Sequence, residues 1–225
     1  MTTLTLDSLD LAALVASRVC HDVINPVSAI INGLEVLDEN VDDPEMRQHA
    51  LELVRSSAQS ASAKLQFCRL AFGASGSIGA MIDTGDAERV ARNLFENERT
   101  KLEWDAPRIL LAKNKVKVIL NLCLIANACI YRGGIVAVKI SGEDADFAYS
   151  VEARGTNAKL PSAIPGLLEG KPENDAVDGN SIQPFYTGVV ARASNLTLNV
   201  VVEADCVAFA GRSMEIVEKN DAEAA

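Results

Sequence analysis

Residues 9–39 of this 225-residue chain run LDLAALVASRVCHDVINPVSAIINGLEVLDE, and this stretch decides the fold. Apolar and small side chains recur through it in alternating steps of four and three residues. A spacing of about 3.5 residues is typical of helices that pack along a shared seam, so the stretch predicts one long helix. We call the recurring positions the first stripe: Leu9, Ala13, Ala16, Cys20, Val23, Val27, Ile30, Leu34 and Leu37.

A second helix is predicted for residues 45–72, which carry a stripe with the same spacing. The second stripe consists of Leu51, Val54, Ala58, Ala61, Leu65, Cys68 and Phe72. In the acidic connector DENVDDP, residues 38–44, Asp43 can cap the second helix and Pro44 can begin it. The pattern then ends in glycines, which favour the end of a helix, at Gly73, Gly76 and Gly79. The two segments therefore predict an antiparallel helical hairpin.

The hairpin is predicted to form a homodimer, because two helices with small residues in their stripes cannot enclose a core alone. Two copies would make a four-helix bundle with twofold symmetry. Further apolar side chains flank the stripes at Ile24, Ile31, Val36 and Leu53. We therefore assign residues 1–78 to a dimerisation domain and residues 79–225 to a second domain. The alternative is a hairpin that packs only on the rest of its own chain.

His21 follows the stripe residue Cys20, so its side chain is expected to project from the flank of the bundle. Pro26 lies inside the same predicted helix, where it cannot donate a hydrogen bond to the carbonyl of Asp22 and should bend the helix. An interior proline costs about 3 kcal/mol, and such a cost beside an exposed imidazole suggests a function. The alternative is a surface histidine in a kinked helix, which is how we interpret His49.

The function that His21 suggests is nucleophilic attack on a phosphoryl group. Imidazole has an ordinary pKa near ~6.5, so much of it is neutral at cellular pH and has a free ring nitrogen. Asp22 is predicted to hold the other ring nitrogen and so orient His21, as carboxylates do for catalytic histidines. Arg18 is placed to offset phosphoryl charge.

Composition excludes several classes of function. Asp and Glu number 31 against 21 Lys and Arg, giving a formal net charge of -10, which is unsuited to nucleic acid or an anionic lipid surface. The sequence shows no signal peptide and no run of ~18 apolar residues, so no membrane is expected. Its 5 cysteines lack CxxC spacing and only 2 histidines are present, so no metal site is expected either. These features predict a cytoplasmic protein.

Helical and strand-like segments alternate through residues 80–212. Helices are predicted for residues 86–98, 114–131 and 182–193. Strands are predicted for residues 102–104, 108–111, 135–140, 147–153, 196–203 and 206–211. A polar loop is expected near residues 170–180, and the acidic tail from Glu215 is expected to fray. This pattern predicts an α+β sandwich with a mixed, largely antiparallel sheet.

The segment HDVINPVSAI, residues 21–30, resembles the H-box of sensor histidine kinases, which lies on the first helix of a dimeric hairpin. The resemblance implies that His21 is the phosphoacceptor. The order of elements in the second domain is similar to that of the kinases' ATP-binding domain, the GHKL or Bergerat fold. NLCLIANA, residues 121–128, resembles its N-box, with Asn127 at the magnesium-binding asparagine.

The second domain departs from the kinase pattern at its nucleotide motifs. Ala153 stands where the family's Asp-x-Gly-x-Gly motif has its aspartate, and the region of the later glycine-rich loop has only Gly188. Too few backbone amides are then free to surround phosphates. We therefore predict a degenerate ATPase-like domain that no longer binds ATP, in which Asn127 is a hydrogen-bonded helix residue.

A dimerising H-box hairpin joined to a degenerate kinase-like domain, with IQPFYTG at residues 182–188, resembles the ChpT-type histidine phosphotransferases of alphaproteobacteria. The resemblance spans about residues 9–212. It implies a cell-cycle phosphorelay in which His21 accepts phosphoryl from the receiver domain of a hybrid kinase (CckA-like) and passes it to aspartates of response regulators (CtrA-like and CpdR-like). It also implies that the chain has no cofactor of its own and that the receiver supplies Mg²⁺.

A receiver-docking surface is expected around His21. It is predicted to comprise Ser17, Arg18, Ile24, Asn25 and Ser28 on the first helix, and Ala61, Lys64 and Leu65 on the second. Two other functions stay open from the sequence. One is an active sensor histidine kinase fragment, which would take phosphate directly from ATP. The other is a non-catalytic dimeric scaffold in which His21 is incidental.

Overall fold

The computed structural model of the chain describes residues 3–73 and 79–214. It begins with an antiparallel helical hairpin of α1 (Ser8–Glu39) and α2 (Pro44–Ala71). The carboxylate of Asp7 caps α1 by accepting hydrogen bonds from backbone N–H groups of the first turn. These hydrogen bonds lower the pKa of Asp7. Asp43 caps α2 and Pro44 begins it, as predicted from the connector. Gly76, one of the glycines expected to end the second helix, lies outside the described residues.

Small side chains let the two helices of the hairpin approach closely. Pro26 and Gly33 are the buried residues of α1, and a Cβ placed on Gly33 would lie 2.7 Å from Cγ2 of Val54. The facing surface of α2 buries Ala50, Ser57, Ala61 and Cys68. The hairpin therefore leaves no room between its helices for larger side chains.

Only part of each predicted stripe faces the other helix of the hairpin. Val23, Ile30 and Leu37 are half-buried on α1, opposite Val54 and the buried residues of α2. The exposed part comprises Leu9, Ala13, Ala16, Cys20, Val27 and Leu34 on α1, with Leu51, Ala58 and Leu65 on α2. In a four-helix bundle each helix contacts two neighbours, so alternate seam positions face different helices.

The second part of the chain is the predicted α+β sandwich. Its helices are α3 (Thr84–Phe95), α4 (Lys113–Cys129), α5 (Ala163–Glu169) and α6 (Ile182–Ala193). Its strands are β1 (Met81–Asp83), β2 (Thr100–Asp105), β3 (Leu110–Ala112), β4 (Gly134–Ser141), β5 (Ala148–Arg154), β6 (Asn199–Glu203) and β7 (Cys206–Arg212). The sequence predicted neither β1 nor α5.

Five strands form one mixed sheet in the order β2-β4-β5-β7-β6, in which only the β2–β4 pair is parallel. β1 and β3 form a separate antiparallel pair. One face of the large sheet packs on α4, burying Val151 and Phe209 against Leu122 and Cys123. The fold class predicted from the sequence, a helical hairpin followed by an α+β sandwich with a mixed, largely antiparallel sheet, is confirmed.

The base of the hairpin is part of the core of the sandwich. Phe67 of α2 is buried, and its ring meets that of Phe95 edge to face with 5.4 Å between centroids. On α1, Leu11 and Leu14 pack against the cluster that contains Ile182 and Phe185 of α6. The hairpin therefore packs on its own chain near its base, while the distal halves of α1 and α2 keep their apolar face exposed. The acidic tail from Glu215 lies outside the described residues.

Among the described helices, α1 alone is long and apolar enough to cross a membrane by length and composition. Its flanks carry Arg18, His21 and Asp22, and its first turns pack on the second domain. These features favour an amphipathic helix that packs on its own chain.

Candidate functional site

His21 is exposed on α1, as predicted, and its imidazole makes no hydrogen bond to any residue in 3–73 or 79–214. It precedes Pro26 by five residues, which places it about 140° around the helix from the proline. Because Pro26 is buried against α2, His21 points away from α2. The imidazole is therefore open to a partner on the outer surface of α1.

Asp22 is held by Arg18 rather than by His21. The guanidinium Nε of Arg18 donates to Oδ2 of Asp22 over 3.0 Å, and the two side chains keep only 28% and 25% of their surface exposed. Such i,i+4 pairs lie along one helix face, whereas consecutive residues do not face each other. Within the described part of the chain, the predicted contact between Asp22 and His21 is not formed, and the orienting role of Asp22 stays a prediction.

Lys64 reaches the same turn of α1 from across the hairpin. Its ammonium Nζ donates to the backbone carbonyl of Asp22 over 2.9 Å. Lys64 is half-buried, so its charge is directed into the hairpin and not outward toward a docked partner. The sequence placed Lys64 near His21, but no periodic pattern could show that it binds a main-chain atom.

The predicted docking residues differ in their exposure to solvent. Ser17, Ile24, Asn25 and Ser28 are exposed around His21, with Ile24 keeping 58% of its surface accessible, and Leu65 on α2 is exposed as well. The prediction was wrong for Ala61, which is only 8% exposed because it faces α1 inside the hairpin. The exposed group forms a small surface of mixed polarity.

A cavity of about 260 Å³ lies where the hairpin meets the sandwich. Arg18, Asp22 and Lys64 line one side of it, and the other lining residues include Phe95 and Asn127. Cys68 also lines the cavity, and burial, reinforced by the nearby Asp22 carboxylate, raises the pKa of its thiol from 9.0 to about 11. The charged cluster therefore lies at the joint between the two parts of the chain, on a different side of α1 from His21.

The hydrogen-bonded asparagine of α4 is Asn121, not Asn127. The Asn121 amide donates to the carbonyls of Ala71 and Lys117, and its oxygen accepts from Gln183. This network ties α2, α4 and α6 together in the core. The side chain of Asn127 makes no hydrogen bond within the described residues and lines the cavities beside α4, so the predicted hydrogen bond at Asn127 was wrong.

A larger cavity of about 790 Å³ lies between α1, α4 and α6. Ala153, at the position of the family's aspartate, is buried within the sheet. Gly188 lies inside α6, and a Cβ there would lie only 2.0 Å from the carbonyl oxygen of Leu168. This glycine therefore serves close packing of α5 against α6 and not a phosphate loop.

Metal-ligating residues do not cluster in the described ranges. Within residues 3–73 and 79–214, no three His, Cys, Asp or Glu side chains lie close enough together to hold a metal ion. The chemistry that this site offers is that of an accessible imidazole on a firmly held helix.

Comparison with known proteins gives concordant matches. The family described as the histidine phosphotransferase C-terminal domain matches residues 84–205. The protein phosphotransferase ChpT of Brucella abortus (strain 2308) is 44% identical over 205 residues, which cover 91% of this chain and 96% of that protein. A 1.7 Å structure of a bacterial phosphotransferase superposes with a TM-score of 0.85 at 40% identity, covering 94% of this chain and 100% of the other.

Proposed function

The chain belongs to the ChpT-type histidine phosphotransferases, and from this premise we propose that His21 is the residue that carries the phosphoryl group. The observation that carries the proposal is the exposed imidazole of His21, which lies near Pro26 on a helix whose first turns pack on the core. His49, the other histidine, is exposed on α2, where the nearest proline, Pro44, begins the helix and does not interrupt it as Pro26 does in α1, and His49 is assigned no role.

The proposed reaction begins with an aspartyl phosphate on the receiver domain of a hybrid kinase. The unprotonated ring nitrogen of His21 attacks phosphorus in line, a P–N bond forms, and the bond from phosphorus to the aspartate oxygen breaks. The receiver aspartate leaves as a carboxylate, and the second ring nitrogen of His21 keeps its proton. The onward step to a response regulator reverses this exchange on a new aspartate.

Positioning and electrostatics dominate such a transfer, because little other covalent chemistry falls to the protein. The receiver domain brings the Mg²⁺ that offsets phosphoryl charge, and this chain supplies no cofactor. We assign Asp22 the role of orienting His21 and Arg18 that of stabilising phosphoryl oxygens. Because the two side chains are paired, each role requires the pair to open when the phosphoryl group arrives.

The receiver surface proposed here comprises the exposed residues Ser17, Ile24, Asn25 and Ser28. Leu65, which the sequence also placed on this surface, lines the groove with Ala16 and Cys20. A small, partly apolar patch suits a partner that must leave after each transfer. The family resemblance supports a CckA-like hybrid kinase as donor and CtrA-like and CpdR-like regulators as recipients. It also supports a role in cell-cycle control and a cytoplasmic location.

A homodimer is part of the proposal. The exposed parts of the two stripes lie on one side of the hairpin, where Ala16, Cys20 and Leu65 line a single groove. A second hairpin laid on that side would bury this apolar surface and complete a four-helix bundle. The second domain, which we propose has lost ATP binding, then braces the base of each hairpin.

One labelling experiment tests the function. The purified chain is incubated with radiolabelled ATP alone, and separately with a phosphorylated receiver domain of a hybrid kinase. We expect acid-labile, alkali-stable label from the receiver only, its loss in His21→Ala and its retention in the matched control His49→Ala. Label taken directly from ATP would instead identify an active kinase. No label from either source would favour the scaffold.

A further inference from the structure

Pro26 leaves one main-chain acceptor of α1 without its usual partner. In an α-helix the N–H of each residue donates to the carbonyl four residues earlier, so the carbonyl of Asp22 should accept from position 26. Proline has no N–H, and its ring also crowds that carbonyl. A main-chain acceptor left unpaired and half-buried is costly, so this turn of α1 requires a donor from elsewhere.

Lys64 supplies that donor. Its Nζ lies 2.9 Å from the carbonyl oxygen of Asp22, although the two residues are 42 positions apart in sequence. Pro26 is buried on the α2-facing side of α1, so the carbonyl one turn before it also faces α2, within reach of a lysine side chain. A hydrogen bond from an ammonium group is stronger than the neutral backbone bond that it replaces.

The residue next to His21 is consequently held at two points. The carbonyl of Asp22 is bound by Lys64 from α2, and its carboxylate is bound by Arg18 from the preceding turn of α1. Asp22 is turned about 100° around the helix from His21, so neither contact involves the exposed imidazole. The two contacts leave the ring free to react while fixing the backbone from which it projects.

We propose that Lys64 is a positioning residue for phosphoryl transfer: its ammonium replaces the N–H that Pro26 lacks and fixes the helix turn that carries His21. The inference rests on the proposed function of His21. It differs from the docking role that the sequence predicted for Lys64, because a docking residue acts on affinity for the receiver. A positioning residue acts on the rate within the docked complex, where small displacements of reacting atoms are costly.

The test measures single-turnover transfer from a phosphorylated receiver domain to His21 over a range of receiver concentrations. Lys64→Met keeps the length of the side chain and removes the donor, Lys64→Arg keeps a donor, and Pro26→Ala restores the backbone N–H. Lys101→Met, an exposed lysine on β2, is the matched control. Circular dichroism of each variant establishes that it is folded.

We expect Lys64→Met to lower the maximal transfer rate by roughly tenfold without changing the half-saturating receiver concentration. Lys64→Arg should recover most of the rate, and Lys101→Met should match the unaltered chain. The decisive comparison is made in the Pro26→Ala background. There the carbonyl has its own backbone donor, so Lys64→Met should have an effect of less than about threefold, compared with tenfold beside proline.

The proposal is overturned if Lys64→Met raises only the half-saturating concentration, because Lys64 would then be a docking residue. It is also overturned if Lys64→Met is equally harmful with and without Pro26, or has no effect on a chain that is labelled normally. If the unaltered chain is never labelled on His21, the proposed function itself fails. The two failures are therefore distinguishable.

Discussion

Leu34→Ala should weaken the proposed homodimer and leave the fold of the single chain almost unchanged. Leu34 belongs to the exposed part of the first stripe and keeps 48% of its surface accessible within one chain. Completing the burial of a half-exposed leucine contributes about 1 kcal/mol, since burial of the whole side chain contributes about 1.5–3 kcal/mol. Twofold symmetry counts that contribution once in each copy, so the dimer should lose about 2 kcal/mol.

A loss of about 2 kcal/mol corresponds to a dimer dissociation constant roughly 25-fold higher. Sedimentation velocity over a dilution series measures that constant directly. Leu110→Ala is the matched control, because Leu110 is 62% exposed on β3, away from the hairpin. Its dissociation constant should equal that of the unaltered chain.

The reasoning is refuted if Leu34→Ala and Leu110→Ala shift the dissociation constant equally. It is also refuted if the unaltered chain sediments as a monomer at every concentration. In either case the exposed stripe would not be the surface through which two hairpins meet.

Three further variants test the energetics of the single chain. Gly33→Ala should lower the free energy of unfolding in urea by about 1–2 kcal/mol, because its Cβ would lie 2.7 Å from Val54 and the strain exceeds the gain in helix propensity. Asn121→Ala should cost about 3 kcal/mol by the same measurement, since it leaves buried partners on α2 and α6 without hydrogen bonds. The pKa of the Cys68 thiol is about 11 in the folded chain and 9.0 in the unfolded chain. The contribution of the protonated thiol to stability is therefore complete below pH 9 and is lost as pH rises through 11. The fall in stability between pH 9 and 11 should be smaller in Cys68→Ala by on the order of 2 kcal/mol.

The sequence predicted the hairpin well because its information is local. Heptad spacing, the cap at Asp43 and the proline at position 44 all act within one or two turns of helix. The same spacing could not show which helix each stripe position faces. Ala61 and Leu65 belong to one stripe, yet Ala61 is buried against α1 and Leu65 is exposed. That distinction depends on how α1 and α2 pack against each other, which the spacing along one helix does not contain.

The sandwich was predicted less completely because its short elements carry weak local patterns. β1 has three residues, and α5 has seven, including Pro165 and Gly166. Asn121 and Asn127 are six positions apart in one apolar helix, and only the packing of α2 and α6 decides which of them is buried. The contact of Lys64 with a main-chain carbonyl likewise depends on the register of two helices and not on any residue pattern.

The packing of the second domain supports the proposal that the source of phosphate is a partner protein and not a nucleotide held by this chain. An aspartate at position 153 would place a carboxylate in a fully buried position between β4 and β7, where desolvation opposes its charge. Gly188 is committed to the contact of α6 with the Leu168 carbonyl, so it is not available to approach a phosphate. A nucleotide site of the kinase kind would thus require changes in the central strand β5 and in α6 together, not one substitution. A chain that keeps an accessible histidine while its sandwich is committed to packing is suited to relay phosphate between receivers, and the direction of flow is then set by which receiver arrives phosphorylated.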